Sequence, residues 1–224
     1  MSLAVDLFWS FRSPYSYLAT PRLVRLAAEY DVDINVRPVL PIAVRIPGFF
    51  DTVNPLWPLY LLRDTKRIAD YERMPYGWPR PDPIVQDPST RKVAAEQPYI
   101  HRLTRLGVAA CERGRGLPFV AEVSRVIWGG DVEGWHEGSH LADASARTGL
   151  ELDELDRAIA ADPGRHDRVI AENQHALEEA GHWGVPTMVF AGEPFFGQDR
   201  IDLLVWRLRQ HDLRRRSDAS GEWT

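Results

Sequence analysis

Two serines separated by two residues, Ser13-Pro14-Tyr15-Ser16, stand where an alternating apolar run gives way to a helical pattern. The spacing is that of a redox C-x-x-C pair, yet neither end carries sulfur. The chemistry of such a junction comes from the helix N-terminus, whose first N–H groups lack intrahelical partners and which carries a partial positive charge. In a redox enzyme that end stabilises a cysteine thiolate. Here Ser13 offers an N-cap oxygen, and Pro14 suits the first helical position because its missing N–H had no partner there. Ser16 falls a turn inside the helix and is assigned a structural role. The single cysteine, Cys111, lies far along the chain among small residues and is expected to be an inert buried thiol. One cysteine excludes an intrachain disulfide and fits a reducing compartment.

A second spacing, His136-Glu137-Gly138-Ser139-His140, matches the zinc-protease pattern H-E-x-x-H. That chemistry needs both histidines on one helical face, with the glutamate as base. Gly138 inside the motif and the GGDVEGW run before it point instead to a loop or a helix start. No third ligand stands at a suitable spacing, so no metal is expected.

The elements that would position Ser13 are legible from periodicity. Leu3, Val5, Leu7 and Trp9 alternate as a strand. A helix follows to about Tyr30 through Tyr17, Leu18, Val24, Leu26 and Ala27, with Pro21 expected to kink it. Asp31 to Leu40 holds a second strand with Ile34 and Val36 on one face. From Pro41 the texture changes, with proline and aromatic residues crowding 47–58 and 75–88. Helices are predicted over 59–73, 98–113, 119–128, 141–148, 154–161 and 168–180, the last stopped by Gly181. Thr187 to Phe190 and Phe195-Phe196 read as a strand pair turning through Gly192. Ile201, Leu204, Val205 and Leu208 form the stripe of a closing helix that Asp199 is placed to cap. The order βαβ, helices, α, ββα implies one mixed sheet with an all-helical insertion. The expected division is 1–42 and 165–216 for the sheet-bearing part, 43–164 for the insertion and 217–224 for a flexible tail.

With 44% hydrophobic and 26% charged residues and a net charge of −5, the composition is that of an ordinary globular protein. No basic stripe interleaved with aromatics suggests nucleic acid. The run Arg214-Arg215-Arg216 is expected to be a solvated tail. No stretch is long and apolar enough for a bilayer, and the N-terminus lacks a signal-peptide pattern, so a cytoplasmic location is expected.

The opening strand, the x-P-x helix start and Pro21 resemble thioredoxin. Val185-Pro186-Thr187 is similar to that fold's cis-proline loop, and the long helical insertion resembles the DsbA-like branch. SPYSYLA taken together with GVPTMVFAGEPFFGQDRIDLL resembles the 2-hydroxychromene-2-carboxylate isomerases and the related kappa-class glutathione transferases. RPVL after the second strand and WPRPDP at 78–83 also fit, and the resemblance spans nearly the whole chain. It implies glutathione as cofactor, a small-molecule substrate and a homodimer. It also implies that the Ser13 hydroxyl donates to the glutathione sulfur, so that the enzyme borrows its thiolate. The cysteinyl backbone of glutathione would lie against Val185 before Pro186, and its γ-glutamyl amino group on Asp199. Gln198 occupies a position where kappa-class enzymes usually have serine, a feature closer to the isomerases. An asparagine and a lysine common in the family after RPVL are absent, their loose counterparts being Phe49 and Trp57.

The implied activity is glutathione-dependent isomerisation of an unsaturated aromatic-derived acid. The alternatives are a kappa-like transferase or peroxidase, or a non-redox thioredoxin-like binding protein. Simpler readings stand beside these roles. Ser13 can be a cap only, and Asp199 a cap, a ligand residue or both. Arg12 either lowers the thiol pKa, binds a substrate carboxylate or faces solvent. Phe11, Phe49, Phe50, Trp57 and Trp78 are candidates for an aromatic pocket wall or for plain core.

Overall fold

A computed structural model describes residues 2–87 and 89–216. The expected flexible tail, 217–224, lies outside the described residues. Strand β1 (Leu3–Trp9) leads into helix α1 (Pro14–Glu29) and strand β2 (Val32–Pro38). Helices α2 (Ile42–Arg45), α3 (Phe49–Thr52), α4 (Leu56–Tyr71), α5 (Ile100–Glu112), α6 (Gly116–Trp128), α7 (His140–Arg147), α8 (Leu152–Ala161) and α9 (Pro163–Glu179) follow. The chain closes with β3 (Thr187–Phe190), β4 (Glu193–Phe196), a 3-10 turn over Gln198–Arg200 and α10 (Ile201–Arg209).

The sheet runs β2-β1-β3-β4, with β1 and β2 parallel and β3 antiparallel to both β1 and β4. This mixed sheet, with helices inserted between β2 and β3, has the element order expected from the sequence. Strand β1 is hydrogen-bonded along both edges, to β2 and to β3. Val5, Leu7 and Trp9 join the main core, while Phe8 on the other face packs with Val39 and with Leu177 of α9. On that second face Ala4 is exposed and Asp6 half-exposed, so the alternation in β1 marks one dry face and one that is covered only at Phe8. Two bonds clamp α9 behind β2: Asn173 Nδ2 donates to Pro38 O at 3.1 Å, and Leu40 N–H donates to Gln174 Oε1 at 3.2 Å.

Among the described residues, side-chain caps start two of the helices, α1 and α9. Ser13 caps α1, accepting from Ser16 N–H, with Pro14 in the first turn. Helix α1 runs past Pro21, and its buried stripe is Tyr17, Leu18, Leu23 and Leu26, with Val24 exposed. The α10 stripe Ile201, Leu204, Val205 and Leu208 is buried as its spacing requires. Helix α9 begins five residues before the expected Arg168. Asp162 accepts from Arg165 N–H at 2.8 Å and Pro163 opens the helix, the same device as at Ser13-Pro14. Helices α2 and α3 have four residues each, too few to display a periodic stripe.

The arginine run near the C-terminus is exposed, as expected of a solvated segment, but it is not a loose tail. Its backbone is stitched beside the end of α1, with Asp31 N–H on Arg214 O and Arg216 N–H on Glu29 O, both at 2.8 Å. Arg216 Nε also donates to Tyr30 O at 2.9 Å. Unsatisfied carbonyls at a helix end take such donors readily.

Candidate active site

The N-terminus of α1, the loop before β3 and the α2–α4 segment surround one cleft of about 920 Å³. Trp9 fixes the first of these walls. Its indole N–H lies 3.2 Å from Ser16 O and 3.1 Å from Thr20 Oγ1, which holds α1 to the end of β1. Ser13 faces the cleft. Its Oγ accepts from Ser16 N–H at 3.2 Å and donates to Val185 O at 3.3 Å. The Tyr15 N–H has no acceptor among the described residues, and no acidic residue occupies the first turn of α1. The positive end of the helix is therefore open and not neutralised.

The Val185–Pro186 peptide bond is cis, and the loop that carries it is braced on both sides. Thr187 Oγ1 donates to Gly184 O at 2.7 Å, Gly184 N–H donates to His182 Nδ1 at 2.9 Å, and Gly197 N–H donates to Pro186 O at 2.9 Å. The last bond ties the proline loop to the turn that carries Gln198 and Asp199, so all four C-terminal candidates line the cleft with Ser13. Asp199 does not cap α10. A 3-10 turn precedes that helix, and the exposed Asp199 carboxylate folds back on its own turn to pair with Arg200 at 2.9 Å. It also crosses Gly197, where a Cβ would stand 2.6 Å from Asp199 Oδ1 at a φ of +107°, so only glycine fits there. The Gln198 carbonyl accepts from Arg22 at 3.3 Å.

Phe49 and Trp57 form the facing wall. Their rings lie 6.3 Å apart, and Phe49 also meets Phe50 at 5.4 Å and Trp183 at 6.0 Å. Phe11, in contrast, is fully buried, packed edge-on against Trp9 and Phe119, and is core. Trp78 lies beneath the site against Trp128. Arg12 lines the cleft but is neither solvent-facing nor free. Its fork is bidentate on Asp82 at 3.1 and 2.9 Å, and its guanidinium carbon sits 4.9 Å above the Trp78 ring. Trp78 Nε1 donates to the same carboxylate at 3.2 Å, so Arg12 is locked in place.

Four polar side chains of the cleft escape the sequence reading. Tyr15 and Tyr60 both donate to Asp64, at 2.9 and 3.1 Å. Burial, then the bond to Asp64, drives the Tyr15 phenol well above its ordinary pKa, so it stays protonated. The Tyr60/Asp64 spacing of four residues on α4 was the one available signal. Arg45 is the fourth. The histidine motif stands apart from the cleft, and residues 135–139 form turns, with Gly138 at a φ of +56° and α7 starting at His140. Cys111 lies on α5, its thiol donating to Val36 O at 3.2 Å, and burial pushes its pKa up to about 12.

Residues 4–209 match the model of the DSBA-like thioredoxin domain. A 2-hydroxychromene-2-carboxylate isomerase of Pseudomonas sp. (strain C18) is 27% identical over 208 residues, covering 89% of this chain and 87% of the relative. Another isomerase of that name from Sphingobium xenophagum is 25% identical, with 91% and 97% covered. Among solved structures, a 2-hydroxychromene-2-carboxylate isomerase superposes with a TM-score of 0.68 at 23% identity, covering 94% of this chain and 96% of its own. The disulfide reductase DsbM from Pseudomonas aeruginosa, solved with GSH, superposes at 0.57 with 17% identity over 92% and 100% of the two chains. These likenesses are of fold.

Proposed function

Because the chain belongs to the DsbA-like thioredoxin domain family but carries serine at both ends of its helix-start motif, we propose that it is a glutathione-dependent isomerase of an unsaturated aromatic-derived acid. The observation that carries this reading is the Ser13 hydroxyl, set at an open helix N-terminus and bonded to the cis-proline loop at the edge of an aromatic-walled cleft. The curated relatives named 2-hydroxychromene-2-carboxylate isomerase support the reaction class.

The residues present fit glutathione. Among the described residues Ser10 Oγ and Arg45 Nε are buried without partners, the Tyr15 N–H is open, and the Asp199 carboxylate stands at the rim. In this reading Ser13 Oγ and the Tyr15 N–H hold the sulfur, Val185 the cysteinyl backbone, and Gln198 and Asp199 the γ-glutamyl end. Bound there, glutathione would supply a nucleophilic sulfur that adds reversibly to a conjugated carbon and so frees rotation about the former double bond. The chain's own part is electrostatic and positional. Ser13 turns its proton from the neutral Val185 carbonyl to a negative sulfur, the helix end favours that charge, and the aromatic wall holds a flat substrate in reach.

Isothermal titration with glutathione, followed by an isomerisation assay on 2-hydroxychromene-2-carboxylate, tests the proposal. The expected result is binding and turnover with glutathione recovered unchanged. Consumption of glutathione with substrate would move the reading to a transferase. Absence of binding would leave a non-catalytic module.

A further inference from the structure

Three arginines line the cleft, and two of them are neutralised. Arg12 is paired with Asp82 and Arg200 with Asp199. Arg45, at the end of α2, has no such partner. Among the described residues its one hydrogen bond is from Nη2 to Trp183 O at 2.7 Å, and its Nε is buried with no acceptor. Glu178 acts on it only through space, and burial pulls the guanidinium below its ordinary pKa. A cation held half out of water with unused donors is unfavourable until an anion reaches it. The guanidinium fork matches a carboxylate in shape as well as charge. Arg45 also sits beside the ring wall, since it bonds the backbone of Trp183, whose ring meets Phe49 at 6.0 Å.

We infer that Arg45 is the carboxylate receptor of this cleft, specific for an acid whose remaining surface packs on the Phe49–Trp183 wall. The inference rests on the proposed glutathione-dependent reading for what the acid is. Two carboxylates have the required chemistry: the glycyl end of glutathione and the acid group of the aromatic-derived substrate.

The test is fluorescence titration of the wild-type protein and Arg45→Gln with two matched pairs, glutathione against its glycyl monoethyl ester and cinnamate against cinnamamide. The wild type is expected to prefer the acid in one pair by about ten- to a hundredfold, the range of a hydrogen bond to a charged group. Arg45→Gln is expected to abolish that preference and leave the other pair unchanged. Loss in the glutathione pair assigns Arg45 to the glycyl carboxylate, and loss in the cinnamate pair assigns it to the substrate. Arg45→Lys, which keeps charge without the fork, is expected to retain a reduced preference, and it supplies the comparison if Arg45→Gln does not fold. Equal affinity within both pairs in the wild type, or preferences that survive in both variants, overturns the inference and leaves Arg45 a latch between α2 and Trp183. Failure of the wild type to bind glutathione sinks the proposed cofactor, while the cinnamate pair still decides the role of Arg45.

Discussion

Ser13 Oγ already performs two tasks, accepting from Ser16 N–H and donating to Val185 O. The donated bond, at 3.3 Å, is at the long end of the range for an O–H donor, so turning that proton toward a negatively charged sulfur exchanges a weak bond for a charge-assisted one. Ser13→Ala removes the donor and keeps Pro14 and the Tyr15 N–H. The thiol pKa of bound glutathione is therefore expected to rise, yet stay below its free value of about 8.5. A higher pKa leaves less thiolate near neutrality, so the rising limb of the pH–rate profile should move to higher pH. Turnover should fall by about 10²–10³-fold, as for loss of one hydrogen bond at a reacting centre. Ultraviolet titration of the bound thiolate in both variants checks this, and an unchanged midpoint would reduce Ser13 to a helix cap.

Elements reach the site through a few close approaches. Gly77 N–H donates to Trp128 O at 2.7 Å, which seats the proline-rich segment carrying Trp78 and Asp82 on the end of α6. A Cβ at Gly77 would stand 2.6 Å from Gly130 Cα, a backbone atom that has nowhere to move cheaply. Gly77→Ala is expected to cost about 1–3 kcal/mol by overpacking, read from the urea midpoint. At the other end of the helical segment Asp162 is the side-chain cap of α9. Asp162→Ala should destabilise by about 1 kcal/mol and Asp162→Asn by much less, because asparagine caps nearly as well. A wild-type midpoint in Asp162→Ala would mean that packing of α9 on β2, not the cap, holds the helix start.

At the scale of the whole molecule the single thiol reports on folding. Cys111, on α5, turns its thiol to β2, and burial, with the charge of Glu112 adding to it, raises its pKa to about 12. A group with a raised folded pKa stabilises the fold below its unfolded value, and that contribution is lost as pH climbs from about 8.5 toward 12. At pH 8 the folded thiol is almost entirely protonated. Iodoacetamide should therefore label native protein slowly and urea-unfolded protein fast, and equal rates would show that Cys111 is accessible. The same isolation of sulfur from the cleft predicts no turnover above background in insulin reduction.

Much of this protein is decided by interactions within a few residues. The Ser13-Pro14 helix start, the stripe of α10 and the β3–β4 pair depend on caps, periodicity and turns, and these act over one or two turns of chain, where sequence shows them directly. The paired motifs around Ser13 and Pro186 were legible for the same reason, each being a local device. The sequence could not show that Ser13 bonds to a carbonyl 172 positions away, or that Arg12 is neutralised by Asp82, 70 positions away. Nor could it show that Phe11 turns into the core while Phe49 and Trp57 stay at the cleft. Asp199 looked like a cap because its spacing to the α10 stripe is right, and an intervening 3-10 turn redirected its carboxylate. Which aromatic is wall and which is core, and which arginine lacks a carboxylate partner, depend on what the rest of the chain brings alongside. Burial and charge pairing are properties of neighbours in space, so only the tertiary structure decided them.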